Sequence, residues 1–68
     1  MVAVESEAIR EIEYDAADAV LYVRFTDGDW YRYFRVPESI CRAFFAAESH
    51  GRFFHDHIRD RFRYRKGR

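Results

Sequence analysis

Two alternating segments flank an Asp27-Gly28 pair, and this pattern constrains the fold more than any other stretch of the chain. In Val20-Leu21-Tyr22-Val23-Arg24-Phe25, residues Leu21, Val23 and Phe25 share one face, with Val20, Tyr22 and Arg24 on the other. β-Branched and aromatic side chains dominate the segment, as suits a half-buried pleated surface. Thr26-Asp27-Gly28-Asp29 follows, and glycine accepts the positive φ of a tight hairpin without steric cost. Trp30-Tyr31-Arg32-Tyr33-Phe34-Arg35-Val36 reads as the returning strand, with Tyr31 and Tyr33 on one face and Trp30, Arg32 and Phe34 on the other. The period-2 pair Ile12 and Tyr14 marks an earlier strand, separated from the hairpin by the loop Asp15 to Asp18. Residues 1–7 read as a frayed lead-in.

Beyond the hairpin the periodicity becomes helical. Pro37 lacks only an N–H that a first helical turn leaves unpaired, and Glu38 beside it suits the helix dipole. Ile40, Phe44 and Ala47 recur at helical spacing, with Cys41 and Phe45 beside them. Ser49-His50-Gly51 ends this helix, Gly51 as a left-handed stop and Ser49 as a cap for the next. The spacing predicts a second helix from about Arg52 to Phe62, with Phe54, Ile58 and Phe62 facing inward. The fold class is therefore α+β: a three-stranded antiparallel meander followed by two short helices packed on one face, β-β-β-α-α. Residues 1–68 form one domain, with a core over about 4–64 and a basic tail at 65–68.

The chain has one cysteine, Cys41, so no internal disulfide holds this small core. Seven Phe, five Tyr and one Trp supply the wide rings that must do so instead. No apolar run approaches the roughly 18 residues of a membrane span, and the first residues lack a basic start and an apolar stretch. The expectation is a soluble cytoplasmic protein with no membrane partner.

Chemistry-bearing residues form few usable clusters. His55 and His57 are two apart, which sets them on opposite sides of a helix, whereas zinc helices use spacings of three or four. The histidines therefore read as surface groups, and no metal or cofactor is expected. Cys41 lies between core positions, where a free thiol acts as a small apolar filler. No carboxylate pair lies beside a recognisable cleft element, so no catalytic residue is assigned and the chain reads as non-enzymatic.

Charge is what remains. The formal net charge is zero, but residues 1–34 hold three arginines against eight carboxylates, while residues 35–68 hold nine basic groups against four acidic ones. Arg52, Arg59, Arg61, Arg63 and Arg65 cluster late, with Tyr64 among them. Arginine forks match phosphate, and aromatic faces stack unpaired bases. Two bland readings compete: intramolecular pairing with the acidic half, and, for Tyr31 and Tyr33, burial under helices.

Laid out in order, these residues resemble the KTSC domain family. The resemblance runs from about Val4 to Tyr64 and is carried by Ser6 with Ile9, Tyr14-Asp15, Leu21-x-Val23-x-Phe25, Gly28, Tyr31-x-Tyr33 and Val36-Pro37. It continues through Ala47-x-Ser49-x-Gly51, Phe53-Phe54, Ile58-Arg59 and Phe62-x-Tyr64. The family is a small module found at the C-terminus of some lysyl-tRNA synthetases and as stand-alone bacterial proteins, and that association implies RNA. Glu7 and Ala8, Glu13 and His55 depart from the polar or glycine residues usual at those positions. The expected function is a binding module whose Arg52, Arg59, Arg61, Arg63 and Arg65 meet phosphates of tRNA or single-stranded RNA while Tyr64, Tyr31 or Tyr33 stack. The alternative is a protein-interaction module that uses its charge split to bind an acidic partner or itself.

Overall fold

The hairpin forms where the Asp27-Gly28 pair places it. Gly28 takes φ 96°, and the turn closes through Phe25 N–H to the Asp29 carbonyl and Gly28 N–H to the Phe25 carbonyl, both 2.9 Å. The computed structural model describes residues 8–68 and the backbone of Val2–Ala3. Ser6 and Glu7, invoked above, lie outside the described residues. In chain order the elements are β1 (Val2–Ala3), β2 (Ile9–Asp15), β3 (Val20–Phe25), β4 (Trp30–Tyr33), α1 (Glu38–Ala46), α2 (His50–His57) and β5 (Tyr64–Lys66). Among the described residues the sheet has five strands in the order β1-β2-β3-β4-β5, every neighbouring pair antiparallel.

The α+β class and the central meander agree with the expectation, but two strands were not foreseen. Val2–Ala3, read as a lead-in, pairs with Ile12 and Glu11. Residues 64–66, read as the end of the core and the start of a basic tail, pair with β4 as Tyr64↔Tyr33, Arg65↔Arg32 and Lys66↔Tyr31. A strand so rich in cations suits a sheet edge, where charge discourages pairing with other chains.

Register assigns the faces. Ile12, Val23 and Tyr31 lie in one row, and Tyr14, Leu21, Tyr33 and Tyr64 in the next. This face meets the helices, and Ile12, Leu21, Val23, Val36, Phe44 and Ile58 are fully buried there. Tyr33 is buried too, and Tyr31 packs partly buried against the core. The opposite face bears no helix and carries Glu11, Glu13, Tyr22, Arg24, Trp30 and Arg32.

The third strand ends at Tyr33, short of the expected Val36, because Arg35 turns the backbone to φ 56°. Val36 then enters the core, its N–H donating to the Ala19 carbonyl at 2.9 Å and its carbonyl accepting from the Tyr14 hydroxyl at 2.6 Å. Pro37 follows as the N-cap of α1. Ser49 caps α2 as anticipated, its Oγ accepting from Arg52 N–H at 3.2 Å. Gly51, however, lies inside α2 and is no left-handed stop. That helix also ends at His57 rather than near Phe62. Asp60 adopts φ 62°, and Arg61 N–H closes a turn onto the Ile58 carbonyl at 3.1 Å. Aspartate is among the few residues that enter this region readily.

Candidate nucleic-acid interface

The turn after α2 and the pairing of β5 with β4 together build two adjoining concavities. The first, of about 510 Å³, is walled by Phe25, Tyr31, Tyr33, Phe54 and Tyr64, with Arg59, Asp60, Asp27, Thr26 and Ala8 at its margins. Its rings contact one another with centres 5.3–5.9 Å apart: Phe25 with Tyr31 and Phe54, Tyr33 with Phe54, and Tyr64 with both Tyr31 and Tyr33. Edge-to-face and tilted pairs at such spacing are the favoured arrangements of aromatic quadrupoles. Tyr64 remains 55% exposed and forms the open lip. Burial, then the neighbouring Tyr64 and Tyr31, pushes the Tyr33 hydroxyl well above its ordinary range despite the opposing pull of Arg59. Tyr33 therefore stays protonated, a neutral donor at all physiological pH.

The second concavity, of about 1160 Å³, is lined by Phe34, Arg35, Asp60, Arg61, Phe62, Arg63, Tyr64 and Arg65. Four guanidinium groups face one carboxylate here. Among the described residues, none of the four forms an ion pair; the pairs formed are Arg24–Glu11, Arg42–Glu38, His55–Asp56, Lys66–Asp29 and Arg68–Glu13. Intramolecular pairing of the basic end with the acidic half thus engages Lys66 and Arg68 and none of the four arginines of this groove. Asp15 is turned to its own loop, where its carboxylate accepts the backbone N–H groups of Ala17 and Asp18.

Of the residues singled out from sequence, Tyr31, Tyr33, Tyr64 and Arg59 meet at the aromatic pocket, and Arg61, Arg63, Arg65 and Tyr64 meet at the groove. Arg52 joins neither, being exposed in the first turn of α2. Arg35, Phe34, Phe62, Phe25, Phe54 and Asp60 complete the two concavities and were not among the candidates. Arg35 and Phe34 read as ordinary strand residues, and only a tertiary turn brings them beside Arg63.

Other reactive groups are engaged locally. Cys41 is 1% exposed, and its thiol is pushed up to about 12, by burial first and by Glu38 second. It packs as the apolar filler its position suggested. The three imidazoles have separate neighbours: His50 the Phe45 carbonyl at 3.3 Å, His55 the Asp56 carboxylate at 3.3 Å, and His57 the Phe53 ring at 4.5 Å between centres. No described helix is long and apolar enough to cross a membrane.

The model of the KTSC domain matches residues 5–62. A protein of Tsukamurella paurometabola is 45% identical over 60 residues, covering 88% of this chain and 90% of its own. An uncharacterized protein of Stutzerimonas stutzeri is 40% identical over 53 residues, covering 78% and 75%. A lysine–tRNA ligase of Trichormus variabilis is 33% identical over 60 residues, a match that spans 88% of this chain but 11% of the ligase. The crystal structure of a KTSC domain protein from Yersinia pestis superposes with a TM-score of 0.92 at 37% identity, covering 98% of this chain and 94% of that one. In sequence and in fold, this chain belongs to the KTSC domain family.

Proposed function

We propose that this domain is a non-enzymatic module that binds single-stranded RNA, or the unpaired parts of tRNA, along the edge formed by β5 and the turn before it. The observation that carries the reading is that Tyr64 and Asp60 line both the aromatic pocket and the arginine groove. A base and its adjoining phosphates have the same bipartite chemistry: one stacks and fills an apolar slot, the others need unpaired cations. Ligand pockets run from about 300 to 1,000 Å³, so the aromatic pocket is of a size to admit one base against Tyr64. The Tyr33 hydroxyl and the Asp60 carboxylate supply a donor and an acceptor for its edge. Arg35, Arg61, Arg63 and Arg65 take phosphates, and Arg59 adds a fifth cation at the margin of the aromatic pocket. The likeness to part of a lysine–tRNA ligase supports RNA over an acidic protein as the occupant of the groove.

Titration of labelled single-stranded RNA and tRNA by anisotropy tests this. With about five phosphates neutralised, log K falls with log salt at a slope near −3.5, and Arg61→Ala with Arg63→Ala together reduce that slope by about 1.4. Tyr64→Ala weakens binding by about 1–3 kcal/mol and leaves the slope alone. Absence of binding at about 50 mM salt removes the proposal.

A further inference from the structure

The helix-free face of the sheet carries a second constellation, made of residues that the RNA reading does not use. Across the β3–β4 ladder Trp30 stands opposite Arg24, and Tyr22 opposite Arg32, so the two rings are diagonal neighbours on one face. The Arg68 guanidinium lies over both, 4.9 Å from the Tyr22 ring centre and 4.6 Å from that of Trp30. It also pairs with the carboxylate of Glu13, which β2 sets opposite Tyr22. Two π faces and a carboxylate around one planar cation form the donor set of an aromatic cage, and the planar guanidinium fits it by stacking as well as by charge.

The approach to this cage is built into the backbone. After β5, Gly67 takes φ 101°, a conformation that side-chain-bearing residues rarely adopt, and its N–H donates to the Trp30 carbonyl at 2.6 Å. Lys66 anchors the same turn through Asp29 at 3.2 Å. Together these contacts swing residue 68 back across the open face. Charge then decides what else the cage would hold. Glu13 faces the site, and Glu11 stands on the same face in an ion pair with Arg24 at 3.2 Å. Arg32, the cation beside Tyr22, is directed to the Phe34 ring at 5.9 Å. With Arg68 lifted away, Arg24 still stands 5.9 Å from the Trp30 ring centre but is paired with Glu11, so the charge left without its partner beside the two rings is the Glu13 carboxylate, which attracts a cation.

We propose that Tyr22, Trp30 and Glu13 form an arginine-binding site, filled in cis by Arg68 and open in trans to an arginine side chain of a partner polypeptide when residues 67 and 68 lift from the sheet. The proposal is independent of the RNA reading, because no residue of the cage lines either concavity.

Trp30 is the chain's one tryptophan, so its fluorescence reports the cage directly. The probe is N-acetyl-arginine amide, titrated into the wild type and into Arg68→Ala. Removing the cis occupant removes a competitor at high effective concentration, so Arg68→Ala should bind the probe at least about tenfold more tightly than the wild type. The response should fall away when Glu13→Gln is added, and N-acetyl-lysine amide should bind less well than the arginine probe. In the wild type, the Arg68 side-chain methylene protons should be shifted upfield by the two ring currents in proton NMR, a readout that needs no variant. Equal probe affinity in the wild type and Arg68→Ala overturns the proposal, as does absence of the ring-current shift. Stronger binding of AMP than of the arginine probe by Arg68→Ala also overturns it, and assigns the face to nucleobases instead.

Discussion

On the helix-covered face of the sheet, aromatic rings pack against one another; on the open face, they pack beneath arginines. Phe25, Tyr31, Tyr33 and Phe54 meet ring to ring, and Phe44 stacks on Phe53 with centres 5.5 Å apart. Trp30 lies under Arg24 and Arg68, Tyr22 under Arg68, and Phe34 under Arg32. The residue types on the two faces are alike and alternate along the same strands. What differs is the partner, and with it the work each ring performs. A ring buried among rings contributes apolar area removed from water, at about 25 cal/mol per Å². A ring under a guanidinium stays half in solvent and contributes the smaller cation–π attraction, about 0.5–1 kcal/mol when exposed. Apolar stabilisation is therefore concentrated on one face, while the other face and the β5 edge carry the half-exposed rings and their cations.

The most direct way to break this contrast is truncation of one ring from each face. Phe44→Ala, at a fully buried position, should cost about 3–5 kcal/mol. A chain of 68 residues has on the order of 3–10 kcal/mol in all, so this variant should lose roughly a third or more of its stability. Trp30→Ala should cost no more than about 2 kcal/mol. Urea melts measure both, and equal losses would mean that the open face is part of the core.

Alkaline pH probes the covered side first. The folded Cys41 thiol ionises only near about 12, while an unfolded thiol does so near about 8.5, so the unfolded chain gives up its proton first. Stability is then fully present below about pH 8.5 and declines above it by up to about 1.4 kcal/mol per pH unit, with Tyr33 adding to the fall above about pH 10. Cys41→Ala should flatten the first part of that decline in urea midpoints taken across the range. A native thiol that reacts quickly with iodoacetamide would contradict the packing on which this rests.

The smallest effect lies at the seam where the chain passes from one side to the other. Arg35 holds φ 56°, a left-handed conformation that costs a side-chain-bearing residue about 1–2 kcal/mol, part of which glycine's greater unfolded-state freedom offsets. Arg35→Gly should raise stability by about 0.5–1 kcal/mol. If Arg35 meets a phosphate, the same change should reduce the salt slope of RNA binding by about 0.7. A destabilised variant, or an unchanged slope, would show that the strain at this position does not serve the groove.

Much of the covered face was legible in the sequence, because its determinants are local. Asp27-Gly28 and the alternation of Leu21, Val23 and Phe25 set the hairpin and its register, and Pro37 and Ser49 marked the helix starts. The β5 edge was not legible, for two physical reasons. Phe54, Ile58 and Phe62 recur at helical spacing and all turn inward, yet the last arrives through the left-handed turn at Asp60 and not along a helix. Arg65 and Lys66 have no strand preference of their own and become a strand only because β4 offers an unpaired edge. The alternation sets Tyr31 and Tyr33 on one face and Tyr22 and Trp30 on the other, as the register has it. Which face the helices leave open is a tertiary outcome, absent from any local window.

The late arrival of β5 also has a kinetic consequence. The β2–β3 and β3–β4 pairings join neighbours in the chain, whereas Tyr33↔Tyr64 must first close a loop containing both helices. Closure of so long a loop is entropically costly before any contact rewards it, so this pairing should form last on folding and open first on fluctuation. Tyr64, Arg65 and Arg68 all ride on that segment. The pocket lip, the end of the arginine groove and the latch over Trp30 are thus assembled in one event, and a single opening of β5 would release all three while the meander beneath stays folded.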